Sequence, residues 1–174
     1  EINMFKRTLI AHFFTTINFQ IFLNTLKILV NPLFWFHFKN WKYIQRTEKK
    51  LLDFLNLNKS KIISFYNARS AIFNLIKSLN IKKDDEIIIQ AYTCISVPNA
   101  IIQSWAKPIY ADIDTKTLNF DLESLRNKIT KKTRAIVVQH TFWNPIDITT
   151  VVKICNENNI LLIEDCAHAL WSEV

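Results

Sequence analysis

Glycine is absent from the whole 174-residue sequence, although average usage of ~7% would supply about twelve. The chain therefore contains no Gly-rich turn after its first strand, so the dinucleotide and P-loop phosphate signatures are both missing. Cysteine is scarce as well. Cys94, Cys155 and Cys166 are odd in number and lack C-x-x-C spacing, which argues against a disulfide framework or a zinc ribbon and fits a reducing, cytoplasmic setting. Cys166 and His168 have no recognised ligand spacing and no second cluster completes them, so no metal is expected. The net charge of +7 comes with no Arg-rich arm and no aromatic-basic repeat, so no nucleic-acid partner is expected.

Long apolar runs are also lacking. Residues 8–36 are rich in Phe, Ile and Leu, but His12, Asn18, Gln20, Asn24 and Lys27 interrupt them before the ~20 apolar residues that a membrane span requires. This segment reads as a packing helix. The alternative is a weak membrane-surface contact by residues 1–40, with Lys6, Arg7, Lys27, Lys39 and Lys42 near the headgroups. No small-residue cleavage site follows it, as a signal peptide would need.

What is present is ordinary for a folded domain: 49% hydrophobic and 21% charged residues. From residue 60 onward, short β-branched runs alternate with segments of helical period, the pattern of βαβ units around a parallel sheet. Strands are expected at KIISF (61–65), EIIIQAY (86–92), PIYADI (108–113), RAIVVQH (134–140) and NILLIED (159–165). Ile72, Leu75, Ile76 and Leu79 mark one helix, and Ile148, Val151, Val152 and Cys155 mark another. Ser96 with Pro98 opens a third and Asp121 caps a fourth. Runs such as EIIIQ suggest strands covered on both faces. Residues 1–59 read as a separate helical lead-in, with Leu51, Leu52 and Leu55 as an apolar stripe.

Open α/β sheets bind ligands beyond the carboxyl ends of their strands. Three strand ends are polar here: Tyr92-Thr93-Cys94, Gln139-His140-Thr141 and Glu164-Asp165. Asp165 reads as either a paired structural acid or a functional one, because a carboxylate ending a buried strand needs a partner. Strand alternation turns Glu164 the other way. The loop Tyr66-Asn67-Ala68-Arg69 opens directly into a helix and offers amides to an anion, with Arg69 adding a fork of donors. Cys155 belongs in the core, whereas Cys94 is open to a functional or a packing role.

The motifs SFYNARSAIFNLIKSLNIKKDDEIIIQAYTC, AKPIYADIDTKTLNFDLESL, TRAIVVQHTF and LLIEDCAHAL, in this order and spacing, resemble the DegT/StrS family of pyridoxal-phosphate-dependent sugar aminotransferases. The resemblance covers residues 60–174. It implies an α/β fold of the aspartate-aminotransferase type (fold type I), a mostly parallel sheet flanked by helices, with 60–174 as the first part of an incomplete cofactor-binding large domain. It also implies a homodimer, pyridoxal phosphate as cofactor, a nucleotide-linked keto sugar as acceptor and an amino acid, glutamate, as donor.

By the same resemblance, Asp165 of the ED-x-AH motif pairs with the cofactor's ring nitrogen, and a carboxylate there keeps that nitrogen protonated. His168 lies beside the ring near its phenolic oxygen. Ala68 and Arg69 match the pair whose amides hold the phosphate, with Arg replacing the usual Thr. Cys94 stands where an aromatic residue commonly stacks on the ring, a role a thiol cannot fill, and Tyr92 is the substitute nearby. The family's Schiff-base lysine lies beyond Val174, so no catalytic residue is assigned, and the chain is expected to be an internal piece, inactive alone. A sugar dehydratase of the same family, with His at that position, and a non-catalytic relative are the alternatives.

The same resemblance implies glycine, the usual residue of the family there, where this chain has Trp105, Trp143 and Trp171, and extends to Trp41. Trp105 follows a helix and precedes Pro108, a setting that favours a left-handed residue, and Trp143 lies in the tight HTFWNP loop. A UGA codon read as tryptophan in place of glycine is one explanation; drift in a degenerate copy is the other.

Overall fold

The structure, a computed structural model, describes residues 19–30, 41–55 and 60–169. The chain divides into two compact units, residues 1–63 and 64–174. The first contains helices α1 (Phe19–Val30) and α2 (Trp41–Phe54). Helix α1 exposes Phe19, Phe22, Leu26, Leu29 and Val30, and α2 exposes Tyr43, Ile44, Leu51 and Phe54. Lys27 sits in the last turn of α1, where a cation faces the negative end of the helix dipole. No helix among the described residues is long and apolar enough to cross a membrane. Lys6, Arg7 and Lys39, on which the membrane-surface expectation rests, lie outside the described residues.

The second unit is built on a four-stranded parallel sheet in the order β2-β1-β3-β4. In chain order its elements are α3 (Ala68–Ser78), β1 (Glu86–Gln90), α4 (Ser96–Gln103), β2 (Lys107–Ala111), α5 (Leu122–Asn127), β3 (Thr133–Gln139), α6 (Ile148–Asn158) and β4 (Leu161–Asp165). The chain moves from β1 to β2 on one side, then crosses back to β3 on the other. Crossovers of one hand running in opposite directions put their helices on opposite faces. The packing agrees. Ile87, Ile89, Ala135 and Val137 meet Ile72 and Ile76 of α3 and Val97, Ala100 and Ile101 of α4. Ile88, Ile136 and Val138 point the other way, onto Leu125 of α5 and Val151, Ile154 and Cys155 of α6. Alternate residues of one strand thus enter different cores, which is why EIIIQ and AIVVQ carry apolar side chains on both faces.

Residues 61–65 form no strand. The preference of Ile, Ile and Phe for strands reflects fit to a half-buried pleated surface, and here Ile63 and Phe65 remain exposed with no sheet against them. Asp121 and Asp147 cap α5 and α6 by accepting the amides of Ser124 and Thr150. Ser96 does not cap α4. Ile95 holds the N-cap position with no side-chain bond, and Ser96 is the first helical residue, because the turn begun at Cys94 already engages the Val97 amide.

Candidate functional site

The strand order reverses between β1 and β3, and the ends of these two strands are joined by a buried polar network. The Gln139 amide donates to Gln90 Oε1 at 2.7 Å, and Thr93 Oγ1 donates to Gln139 Oε1 at 2.8 Å. The Gln90 side-chain amide donates to the Leu118 carbonyl at 3.3 Å. Gln90, Gln139, His140 and Thr141 are all buried at this edge. Buried amides without partners would be costly, so the network holds the two strand ends and the Thr93 loop in one arrangement. Ligands of open α/β sheets bind at such a reversal.

Helix α3 enters this edge from the side of β1. Asn67 caps it, with Oδ1 accepting the Ser70 amide at 2.8 Å, and the first helical bond comes from Ala71. The amides of Ala68 and Arg69 are therefore the ones at the helix start left for an anion. The Arg69 guanidinium donates to Ser96 Oγ at 3.2 Å, and Cys94 Sγ lies 3.4 Å from the same hydroxyl. Bonding to the Ser96 hydroxyl and amide lowers the Cys94 thiol below its ordinary pKa; the Arg69 charge adds to this, while partial burial and the Asp165 charge oppose it. Cys94 thus feels both Arg69 and Asp165.

Strand β4 ends on Asp165, whose Oδ1 accepts the Ala167 amide at 3.0 Å and turns the chain. Glu164, on the alternate side, bonds His140 Nε2 at 2.9 Å. Because His140 Nδ1 accepts the Ile146 amide at 3.3 Å, its proton is on Nε2 and is donated to Glu164. Cys166 Sγ also reaches Glu164 Oε1, at 3.5 Å. Burial, reinforced by Glu164, pushes that thiol up to about 11. The donor atoms of His140, Glu164 and Cys166 lie within 4.8 Å of one another, a metal-compatible spacing. Glu164 links the other two, bonding His140 Nε2 and lying 3.5 Å from Cys166 Sγ.

His168 lies parallel to Phe142, ring centres 5.7 Å apart and planes 8° from each other, and Tyr92 meets Phe142 from another side at 6.2 Å and 54°. The five candidate residues thus sit in two groups. Arg69 and Cys94 meet through Ser96 with Ala68 beside them, and Asp165 acts on Cys94 through its charge, whereas His168 makes its ring contact with Phe142. Sequence reading missed Ser96 as a shared partner, Gln90 as a clamp and Phe142 as a ring neighbour. The signal for Gln90 was visible: a polar residue closing the apolar run Ile87–Ile89, as Gln139 closes Ala135–Val138.

The model of the DegT/DnrJ/EryC1/StrS aminotransferase family matches residues 35–174. Among curated relatives, the GDP-perosamine synthase of Vibrio cholerae is 33% identical over 133 residues, 76% of this chain and 36% of that protein. Among solved structures, NtdA of Bacillus subtilis with bound cofactor PMP superposes with a TM-score of 0.70 at 27% identity, over 74% of this chain and 29% of that one. The E. coli GDP-4-keto-6-deoxy-D-mannose-3-dehydratase with bound hydrated PLP gives 0.64 at 27% identity, over 71% and 33%. The chain spans about a third of the length of these relatives.

Proposed function

Because the chain belongs to the DegT/DnrJ/EryC1/StrS aminotransferase family, we propose that the protein containing it is a pyridoxal-phosphate-dependent sugar-nucleotide aminotransferase. It moves an amino group from an amino-acid donor, glutamate, to a nucleotide-linked keto sugar for cell-surface polysaccharide synthesis, as a cytoplasmic homodimer. Residues 60–174 contribute the first part of its cofactor-binding domain, with 1–59 as a helical lead-in. Similarity to a GDP-perosamine synthase supports the substrate class. The observation that carries the site is the meeting of Arg69, from the start of α3, and Cys94 on the Ser96 hydroxyl.

The residues present fit the cofactor. Its phosphate is an anion, and Arg69 with the Ala68 and Arg69 amides offers charge and directed donors at the start of α3. Asp165 has one carboxylate oxygen held by Ala167, which fixes the group's direction and leaves Oδ2 for a cationic ring nitrogen. When bound, the cofactor supplies an electron sink for the C–H bond broken in amino transfer. The protein's part is to keep the ring nitrogen charged through Asp165, to anchor the phosphate through Arg69, and to border the ring with Cys94 and His168.

The test is glutamate-dependent amination of a nucleotide-linked keto sugar by the whole protein, with and without Asp165→Asn. Amination that Asp165→Asn reduces by orders of magnitude is the expected result; undiminished amination in the variant rejects the role of Asp165. Similarity to the E. coli dehydratase favours a second reading, removal of a sugar hydroxyl. The same assay separates the two, since its product is a deoxygenated sugar that retains no donor nitrogen.

A further inference from the structure

Seven described residues adopt positive φ: Asn80, Asp84, Trp105, Leu118, Phe142, Trp143 and Asn159. For an L-residue with a Cβ the left-handed region is unfavourable, and Asn and Asp tolerate it best after glycine. Three of the seven are Asn or Asp. Leucine and phenylalanine contribute one each, although both are common in the described residues. Tryptophan behaves differently: both tryptophans whose side chains are described, Trp105 and Trp143, are left-handed, at φ 73° and 64°. Trp41 opens α2 in the helical region, and Trp35 and Trp171 lie outside the described residues.

At each of the two positions the hydrogen bonds require the conformation. Trp105 follows the C-cap Ser104 of α4. Its amide bonds the Ile102 carbonyl at 3.0 Å and the Ala106 amide bonds Ile101 at 3.3 Å, the paired bonds of a Schellman ending, whose left-handed residue is usually glycine. Its carbonyl also accepts the Asp84 amide at 3.2 Å. Helix α6 ends in the same way, with the Asn159 amide on Asn156 and the Ile160 amide on Cys155, and there the left-handed residue is Asn. One chain thus uses a tolerant residue at one such ending and its bulkiest residue at the other. The Trp105 side chain is 66% exposed, so burial offsets little of this.

Trp143 occupies the third place of a turn closed by the Asn144 amide on the Thr141 carbonyl at 3.0 Å, with Phe142 and Trp143 both left-handed. Two consecutive positive φ values define a type I′ turn, in which glycine is the favoured occupant of that third place. This turn follows β3 and carries Phe142 against His168, so it borders the candidate site.

We propose that positions 105 and 143 are glycine in the protein its source makes, their codons being UGA read there as glycine, and that tryptophan at these positions is a substitution the backbone does not accommodate. Glycine relieves the left-handed strain at the α4–β2 junction and replaces a bulky indole at the edge of the site with bare backbone.

Mass spectrometry of peptides spanning 105 and 143 from the source organism's protein tests this directly. Glycine masses and UGA codons at both positions are expected; tryptophan masses or UGG codons overturn the proposal. Thermal unfolding of the full chain gives a second, independent reading. Trp105→Gly and Trp143→Gly should each raise Tm, and the matched Trp→Ala variants should raise it less because Ala keeps a Cβ. A Tm that falls with glycine, or that rises equally with alanine, overturns the backbone argument.

Discussion

Gln90 accepts the backbone amide of Gln139 through its side-chain oxygen at 2.7 Å, tying the end of β1 to the end of β3 where the strand order reverses. Both residues are almost fully buried. Replacing Gln90 with Leu keeps much of the volume but leaves that amide without its partner in a dry place. The expected loss is about 1–3 kcal/mol in chemical denaturation. Asn74→Ala removes an exposed side-chain bond to the Ser70 carbonyl and should stay within about 0.5 kcal/mol. Equal effects in the two variants would contradict the clamp.

Arg69→Ala separates phosphate recognition from ring recognition. A charge-assisted bond is worth about 1.5–3 kcal/mol, so affinity for pyridoxal phosphate should fall about tenfold or more. Affinity for pyridoxal, which lacks the phosphate, should hardly change. Titration of the whole protein with both compounds, followed by absorbance, checks the split; parallel losses for both would place Arg69 outside the phosphate site.

The three cysteines should differ in reactivity. The Ser96 contacts and the Arg69 charge depress the exposed Cys94 thiol, so its thiolate is present at lower pH than that of a free cysteine. Cys166 titrates near 11 and Cys155 is raised by burial, so both remain thiols at neutral pH. Iodoacetamide at neutral pH should therefore label Cys94 first, with Cys166 catching up only as pH rises toward 11. Ser96→Ala removes the hydroxyl that contributes most to the depression and should slow Cys94 labelling. Peptide mapping after timed quenching reads both effects.

Ile154 lies fully buried in the core beneath α6. Ile154→Ala should cost about 2–5 kcal/mol through lost burial and the cavity left behind. Ile102, on α4 but exposed, should lose far less when replaced by Ala. Urea titrations of the two variants against the parent provide the comparison.

Much of the second unit was legible in the chain. Continuous β-branched runs located β1 to β4 and a period of about 3.6 marked helices between them, because an element must present its apolar side chains to whatever covers it. Asp121 was readable as a cap, since capping depends only on residues three apart. Asp165 stood out as an acid ending an apolar strand. The segment 61–65 misled for the complementary reason: its composition suits a strand, but a strand exists only beside another.

The local order of residues was enough to establish which segments pair with a sheet, where the chain turns, and that turns requiring glycine would have to do without it. The rest depended on how the strands are arranged. The bond from Gln139 to Gln90 spans 49 residues, the bond from His140 to Glu164 spans 24, and Arg69 reaches Ser96 across 27. The first follows from β1 lying beside β3, the second from β3 lying beside β4, and the third from α3 and α4 packing on one face of the sheet. Periodicity along a strand says which face a side chain takes but nothing about which strand lies beside it. The partners of Gln90, Ser96 and Glu164 therefore appear only when the sheet is assembled.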